Sequence, residues 1–234
     1  PSAIIKSDHK KANEVTKFKK FIDISEEAMD DDKYGMIASE IKYAGLRART
    51  TQDKTVMNFY ANGFGTTTVN EGTALFSNTH TSLSGDTVDN LATGALSHAN
   101  LVSLETQLAT QTAQDGEIGG HSAAFLLVPK ALHATAVEIT ESEQQAGTSN
   151  NDLNYFSKIF PGLQVFFNPE LDKTSTTAYF IGSTMHTLTR YVRNPLRTHL
   201  HDKDKNGVMT YEVSYREVTS VDTYTGLAGS TGAS

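Results

Sequence analysis

The segment SAAFLLVPKALHATAVEI, residues Ser122–Ile139, decides the fold class because it joins a strand pattern directly to a helix pattern. Ala123–Val128 is a continuous apolar run of strand length, and Pro129 stands where a first helical turn begins. Apolar residues then follow at roughly helical spacing, at Leu132, Val137 and Ile139. The junction holds no glycine nest, nucleophile or carboxylate pair, so this segment is predicted to pack rather than to react.

The composition excludes several classes of protein. The chain has 234 residues, no cysteine and a formal net charge of −7. The absence of cysteine rules out disulfides, zinc–thiolate sites and thiol catalysis. No apolar stretch approaches the roughly 20 residues of a membrane span, and the charge disfavours tight wrapping of nucleic acid. The chain begins with Pro1 rather than Met, so we expect a processed, trimmed or partial form.

The first third of the chain predicts a strand followed by a long helix. Val15–Ile24 alternates like an amphipathic strand, and Ser25 with the acidic residues after it is typical of a helix N-terminus. A helical stripe runs from Tyr34 to Phe59 and closes at Asn62-Gly63. The glycines and polar residues in its middle leave open one kinked helix or two helices in line.

The rest of the chain mixes helices and strands. Gly63–Gly94 is predicted to be irregular, and Ser97 to cap a helix that continues to about Gln114. Further strands are predicted at Leu163–Phe167, Thr177–Ile181 and Val208–Glu217. Because no regular βαβ rhythm is present, the predicted fold class is α+β.

Asp202–Gly207, DKDKNG, begins like a calcium-binding loop, with oxygen ligands at alternate positions and glycine sixth. The pattern fails at its twelfth position, where Val213 replaces the expected glutamate and Glu212 comes one residue early. Asn-Gly before an alternating strand is typical of a β-hairpin turn. The turn is the favoured interpretation, so no metal ligands are predicted among Asp202, Asp204 and Asn206.

His199 and His201 lie two residues apart, so an extended chain would place both imidazoles on one face. No third ligand can be identified, and ordinary surface histidines are favoured over a metal site. Gly116–His121, GEIGGH, precedes a strand instead of following one, which indicates a turn and not a phosphate loop. Known catalytic patterns are absent from the sequence, so neither an enzyme nor a cofactor is predicted.

Several segments resemble, in order and spacing, the major capsid proteins of tailed phages with the Hong Kong 97 type of fold. Within that group the chain is most similar to the Mu-like head-subunit families. The segments are FKKFIDISEEAMDDDKYGMIASEI at Phe18–Ile41, GTALFSNTH at Gly72–His80, AAFLLVPKALHATAVEI at Ala123–Ile139, PGLQVFFNPEL at Pro161–Leu171, TAYFIGS at Thr177–Ser183 and VMTYEVSYREVTSVDTYTGLAGS at Val208–Ser230.

The resemblance implies a domain organisation. Residues 1–24 would form the second half of an extended loop, the E-loop, whose first half and N-terminal arm have no counterpart here. Residues 25–95 would form a peripheral domain with a long spine helix, and residues 96–190 an axial domain. Residues 191–234 would supply the returning strands of the peripheral domain and a tail.

The resemblance also implies a function. The chain would assemble with itself into hexamers and pentamers of an icosahedral shell that encloses phage double-stranded DNA without sequence-specific binding. Portal, scaffolding or decoration proteins would be its partners, and it would not bind a membrane. It would lie in the virion capsid, which would be assembled in the host cytoplasm. Contacts between subunits are expected at the residues Lys6, Lys10, Lys11, Phe18 and Phe21.

Two alternatives stay open at this point. An encapsulin-like compartment shell shares the fold but encloses cargo protein instead of DNA. A metal-binding or enzymatic α+β domain would use His199, His201 and the Asp202–Asn206 loop.

Overall fold

The computed structural model of the chain describes residues 13–32, 35–145, 152–205 and 207–233. Within these residues lie ten β-strands and five α-helices, with 3-10 turns at Lys130–Leu132 and Leu171–Lys173. In chain order the elements are β1 Thr16–Ser25, α1 Glu26–Asp30, α2 Met36–Ala61, β2 His80–Thr81, β3 Thr87–Val88, β4 Leu91–Ala92, α3 His98–Ala109, β5 Phe125–Val128, α4 His133–Glu141, α5 Tyr155–Ile159, β6 Gln164–Phe167, β7 Tyr179–Gly182, β8 Thr189–Leu200, β9 Val208–Ser220 and β10 Leu227–Ser230. No helix in these ranges is both long and apolar enough to cross a membrane.

Internal contacts divide the chain into two units. The first unit holds Met57–Leu188 and Val221–Ser234, and the second holds Ala12–Val56 and Thr189–Ser220. The division falls inside α2. Helices and strands follow one another without a regular βαβ order, which confirms the predicted α+β class.

The first unit is built on a five-stranded sheet with the order β4-β10-β7-β5-β6. The apolar run predicted as a buried strand forms β5, which pairs in parallel with β6 and antiparallel with β7. Its alternate side chains enter different cores: Leu126 and Val128 pack with the leucines of α3, and Leu127 packs with Phe180 and Leu227. A strand buried on both faces needs apolar residues at every position, which explains the continuous run.

The helix after β5 begins later than predicted. Pro129 is extended, with φ −65° and ψ 160°, and a 3-10 turn precedes α4. The carboxylate of Asp172 accepts hydrogen bonds from the backbone N–H groups of Lys130 at 2.8 Å and Ala131 at 3.1 Å. A distant side chain therefore satisfies these free donors, and no sequence-local signal marks it.

The predicted cap of α3 is confirmed, because the Ser97 hydroxyl accepts a hydrogen bond from the N–H of Asn100. The helix ends at Ala109 and not near Gln114. The side chain of Gln111 donates to the carbonyl of Leu227 and accepts from the N–H of Gly226, both at 2.8 Å. This pairing with the chain around β10 is long-range, so helical periodicity could not predict where α3 ends.

The second unit contains the three-stranded antiparallel sheet β1-β9-β8, together with α1 and most of α2. The alternatives for the long helical stripe are resolved: α2 is one continuous helix of 26 residues. Its polar middle is satisfied internally, because the hydroxyls of Thr50, Thr51 and Thr55 each donate to the carbonyl four residues earlier. The carboxylate of Asp32 caps its start by accepting from the N–H groups of Met36 and Ile37.

The short strands β2, β3 and β4 lie in Gly63–Gly94, which was predicted to be irregular, and β10 was not predicted as a separate strand. The closing segment Val208–Ser230 resembled a single long strand, but β9 ends at Ser220 and β10 lies in the other unit, between β4 and β7. The sequence of β10 is Leu-Ala-Gly-Ser, whose small residues carry little strand propensity. Its place in the sheet depends on its neighbours.

Candidate assembly surface

A long hairpin of β8 and β9 dominates the second unit. The two strands pair from Thr189 with Ser220 to Leu200 with Tyr211. In the connecting loop, the N–H of Gly207 donates to the Asp204 carbonyl at 3.1 Å, and the N–H of Val208 donates to the Asp204 carboxylate at 3.0 Å. Gly207 has φ +75°, a backbone conformation that favours glycine. The hairpin interpretation of this segment is therefore confirmed.

Of the calcium-like residues, Asp204 stabilises the turn. Asp204 bonds the backbone, Asp202 is exposed, and Asn206 lies outside the described residues. Among the residues that the structure describes, no group of three His, Asp or Glu side chains is arranged to hold a metal ion.

His199 and His201 do come together, as their spacing predicted, with ring centroids 4.6 Å apart. The Nε2 atom of His201 lies 3.0 Å from a carboxylate oxygen of Glu212, and Lys19 Nζ lies 2.9 Å from the other. These bonds, that of Lys19 foremost, lower the pKa of Glu212 to about 2. An ionised carboxylate only accepts hydrogen bonds, so Nε2 of His201 is the donor.

The residues expected at subunit contacts have different surroundings. Phe18 is half-buried and stacks on Tyr215, with centroids 4.8 Å apart. Phe21 points to the opposite face of β1, is 52% exposed, and has the ammonium of Lys19 5.3 Å from its ring centroid. Lys6, Lys10 and Lys11 lie outside the described residues. Phe21 is thus available to a neighbour, whereas Phe18 contributes to its own unit.

Sequence reasoning missed a group of cations on the face of the sheet that carries Phe21. On β9, Arg216 pairs with Lys17 of β1. Ser214 of β9 pairs with Lys19 of β1 on one side and with Arg197 of β8 on the other. Residues at alternate positions share a face, so these four cations form one band, named here the basic band. Nearby Lys19 is the largest cause lowering the pKa of Lys17, as expected for clustered cations.

The opposite charge is concentrated just after β1. Glu26–Asp32 contains five acidic residues and no basic one; it is named here the acidic segment. Glu26 pairs with Lys203 at 2.5 Å, and Asp32 caps α2. Glu27, Asp30 and Asp31 are exposed.

The second unit also exposes large apolar side chains. On α2 they are Met36 at 68%, Tyr43 at 54% and Leu46 at 55% exposure. The sheet adds Phe21, Tyr191 and Leu200. Exposed apolar groups rimmed by charge are typical of surfaces that contact other proteins.

The Gly72–His80 segment, by contrast, is directed inward in the first unit. Leu75, Phe76 and His80 are almost fully buried. The Nδ1 atom of His80 pairs with the Glu71 carboxylate, and its Nε2 atom lies 3.2 Å from both the Leu75 carbonyl and the Asn90 amide oxygen. The motif therefore organises a loop core.

The family comparison matches residues 10–229 to the family described as phage capsid protein. The curated proteins compared with the chain give no match.

Three solved structures share the fold at low sequence identity. The capsid of Ralstonia phage GP4 is 10% identical, with a TM-score of 0.56, 92% of this chain covered and 72% of that chain. The capsid of Myoviridae phage XM1 is 15% identical, with a TM-score of 0.53, and the match covers 93% of this chain and 72% of that chain. The holo-SrpI encapsulin complex from Synechococcus elongatus PCC 7942 is 12% identical, with a TM-score of 0.55, and the match covers 94% of this chain and 74% of that chain.

The expected Hong Kong 97 type of fold is thereby confirmed, and the family match spans nearly the whole sequence. A subunit of a shell works through broad surfaces such as the sheet face and helix described above. The chain belongs to the phage capsid protein family and is a major capsid protein, the structural subunit of a virion shell.

Proposed function

We propose that the chain forms hexamers and pentamers in an icosahedral shell that holds packaged double-stranded DNA. The observation that carries this proposal is the second unit, with its exposed apolar side chains beside a basic band. Closed rings need heterologous contacts repeated around an axis, and many modest contacts then add through multivalency. The formal charge of −7 supports confinement of DNA without strong adhesion.

The proposal includes a domain assignment. Residues 1–24 form the second half of the E-loop, and residues 25–95 form the peripheral domain, with α2 as the spine helix. Residues 96–190 form the axial domain, and residues 191–234 supply the returning strands and the tail. Ala12–Val56 and Thr189–Ser220 lie in one unit, so most of α2 and the returning strands belong together. This supports a joint role for them.

A Mu-like kinship and further partners are part of the proposal. The Gly72–His80 motif has a structural role, because its residues Leu75, Phe76 and His80 are buried. This role supports kinship with Mu-like head subunits. Assembly takes place in the host cytoplasm, with portal, scaffolding or decoration proteins as partners. Phe21 is the described contact residue with the most exposed aromatic ring, and the N-terminal lysines are proposed contacts on sequence grounds alone.

The test is electron microscopy of the expressed full chain in negative stain. Uniform shells, or rings of five and six copies, are the expected result. A chain that stays monomeric at high concentration would contradict the proposal.

An encapsulin-like compartment is the second candidate, because the encapsulin fold is equally similar. Purified, nuclease-treated shells distinguish the two candidates by their contents. Protected double-stranded DNA supports the capsid, whereas a stoichiometric enclosed protein without DNA supports the compartment.

A further inference from the structure

Charge is unevenly distributed in the second unit. The strands β1, β8 and β9 together carry seven Lys and Arg residues against three acidic residues, although the whole chain has a net charge of −7. The acidic segment that follows β1 carries five negative charges. The unit therefore has a positive sheet and a negative end.

The basic band is only partly neutralised within its own unit. The one carboxylate beside the band in the paired register, that of Glu212, is already bound by Lys19 and His201. Among the described residues, Lys17 and Arg197 are exposed and neither forms an ion pair. These two cations are available for an acceptor from outside the unit.

The acidic segment of the same copy does not provide that acceptor. Lys17 lies near the start of β1, whereas Glu26 follows its last residue. Nine residues of strand at about 3.3 Å each separate the two by about 30 Å. The Debye length is only about 8–10 Å at physiological salt, so the two charged regions barely interact within one copy.

A unit with opposite charges at separated places is complementary to a second copy placed head to tail. Such a contact joins different surfaces of two identical chains and is therefore heterologous, the kind that closes into rings. Complementary potentials also fix the register of neighbours. We infer that the basic band of one copy contacts the acidic segment of a second copy, through Lys17 and Arg197 on one side and Glu27 and Asp31 on the other. This inference rests on the proposed function and names the contact by which subunits associate.

A charge-swap experiment on the full chain tests the inference. The band variant is Lys17→Glu with Arg197→Glu, and the segment variant is Glu27→Lys with Asp31→Lys. Each should reduce the yield of shells or rings at least about tenfold, because each reversal replaces attraction with repulsion at every repeated contact. Combining all four substitutions should restore assembly, since the charges are again complementary.

A matched control reverses two cations of the first unit, Lys130→Glu with Lys158→Glu, and should assemble like the wild type. Circular dichroism confirms that each variant folds. Loss of assembly in this control as well, or no recovery in the fourfold variant, would overturn the inference.

The other outcomes separate this contact from its alternatives. If the wild-type chain and the band variant assemble equally well, the inference is wrong, but the proposed function stands. If the band variant forms normal shells that retain less DNA, the band contacts nucleic acid and the inference is wrong. A wild-type chain that never assembles overturns the proposed function and this contact with it.

Discussion

The imidazole of His80 stacks on the phenol ring of Tyr224, with centroids 4.4 Å apart and planes 25° apart. Both rings are fully buried, and the hydroxyl of Tyr224 donates to the Thr112 carbonyl at 3.1 Å. Burial, with smaller effects of Glu71 and Asp86, raises the pKa of Tyr224 to about 12. The stack thus holds β2 against the segment before β10.

We expect Glu71→Gln to weaken this loop core. The variant removes the carboxylate that faces Nδ1 of His80 and accepts from the N–H of Thr81. A hydrogen bond to a charged group contributes about 1.5–3 kcal/mol, so the free energy of unfolding should fall by about 2 kcal/mol. Urea denaturation measures the change, with exposed Glu117→Gln as the control. Equal stability of the two variants would show that the pair does not stabilise the unit.

Gly232→Ala should loosen the residues after β10. Gly232 has φ +63°, and a Cβ atom there would clash with the carbonyl oxygen of Thr177. The left-handed conformation alone costs a non-glycine residue about 1–2 kcal/mol, and the clash adds to it. Amide hydrogen exchange at Ser230 and Thr231 should become faster. Gly65→Ala is the control, since nothing lies within 4 Å of its added Cβ atom; unchanged exchange in the Gly232 variant would refute the prediction.

The hairpin should lose stability in acid through Glu212. Its folded pKa of about 2 lies below the ordinary value of 4.5, so its contribution is complete above pH 4.5. That contribution is lost as the pH falls from 4.5 through 2, because the unfolded chain then binds the proton more readily. Thermal melting at pH 2 to 6 should show a shallower acid slope for Glu212→Gln than for wild type or Glu40→Gln. Parallel slopes for all three proteins would contradict the role of Glu212.

Phe18 and Phe21 should have separable effects. Phe18→Ala removes the ring stacked on Tyr215 and should lower the free energy of unfolding by about 1–2 kcal/mol. Phe21→Ala should leave that energy nearly unchanged and reduce assembly, since its ring is exposed. Melting curves and sedimentation measure the two properties, and each variant is the control for the other. The reverse assignment of effects would show that Phe18 is the contact residue.

Sequence patterns predicted those elements whose signal is local. The apolar run of β5, the Ser97 cap and the hairpin turn before Val208 each depend on residues next to one another. The delayed start of α4 and the early end of α3 depend instead on Asp172 and Gln111. Their partners are far away in sequence, so periodicity could not place either boundary.

The candidate surface was less predictable for the same reason. Lys17, Arg197 and Arg216 are scattered in the sequence and become neighbours only through the register of three strands. The two-residue spacing of His199 and His201 did predict their proximity, but not that Glu212 would be the partner of His201. Pair registers are properties of the folded sheet and not of any one strand.

The position of β10 in the sheet has a consequence for how the protein is made. This strand lies between β4 and β7, with Gly229 paired to Leu91 on one side and Phe180 on the other, although it follows every other strand in the chain. During synthesis the sheet of the first unit cannot close until residue 230 has left the ribosome. A prematurely terminated chain would leave β4 and β7 with unpaired backbone edges. Only a chain that extends through residue 230 can therefore complete this five-stranded sheet.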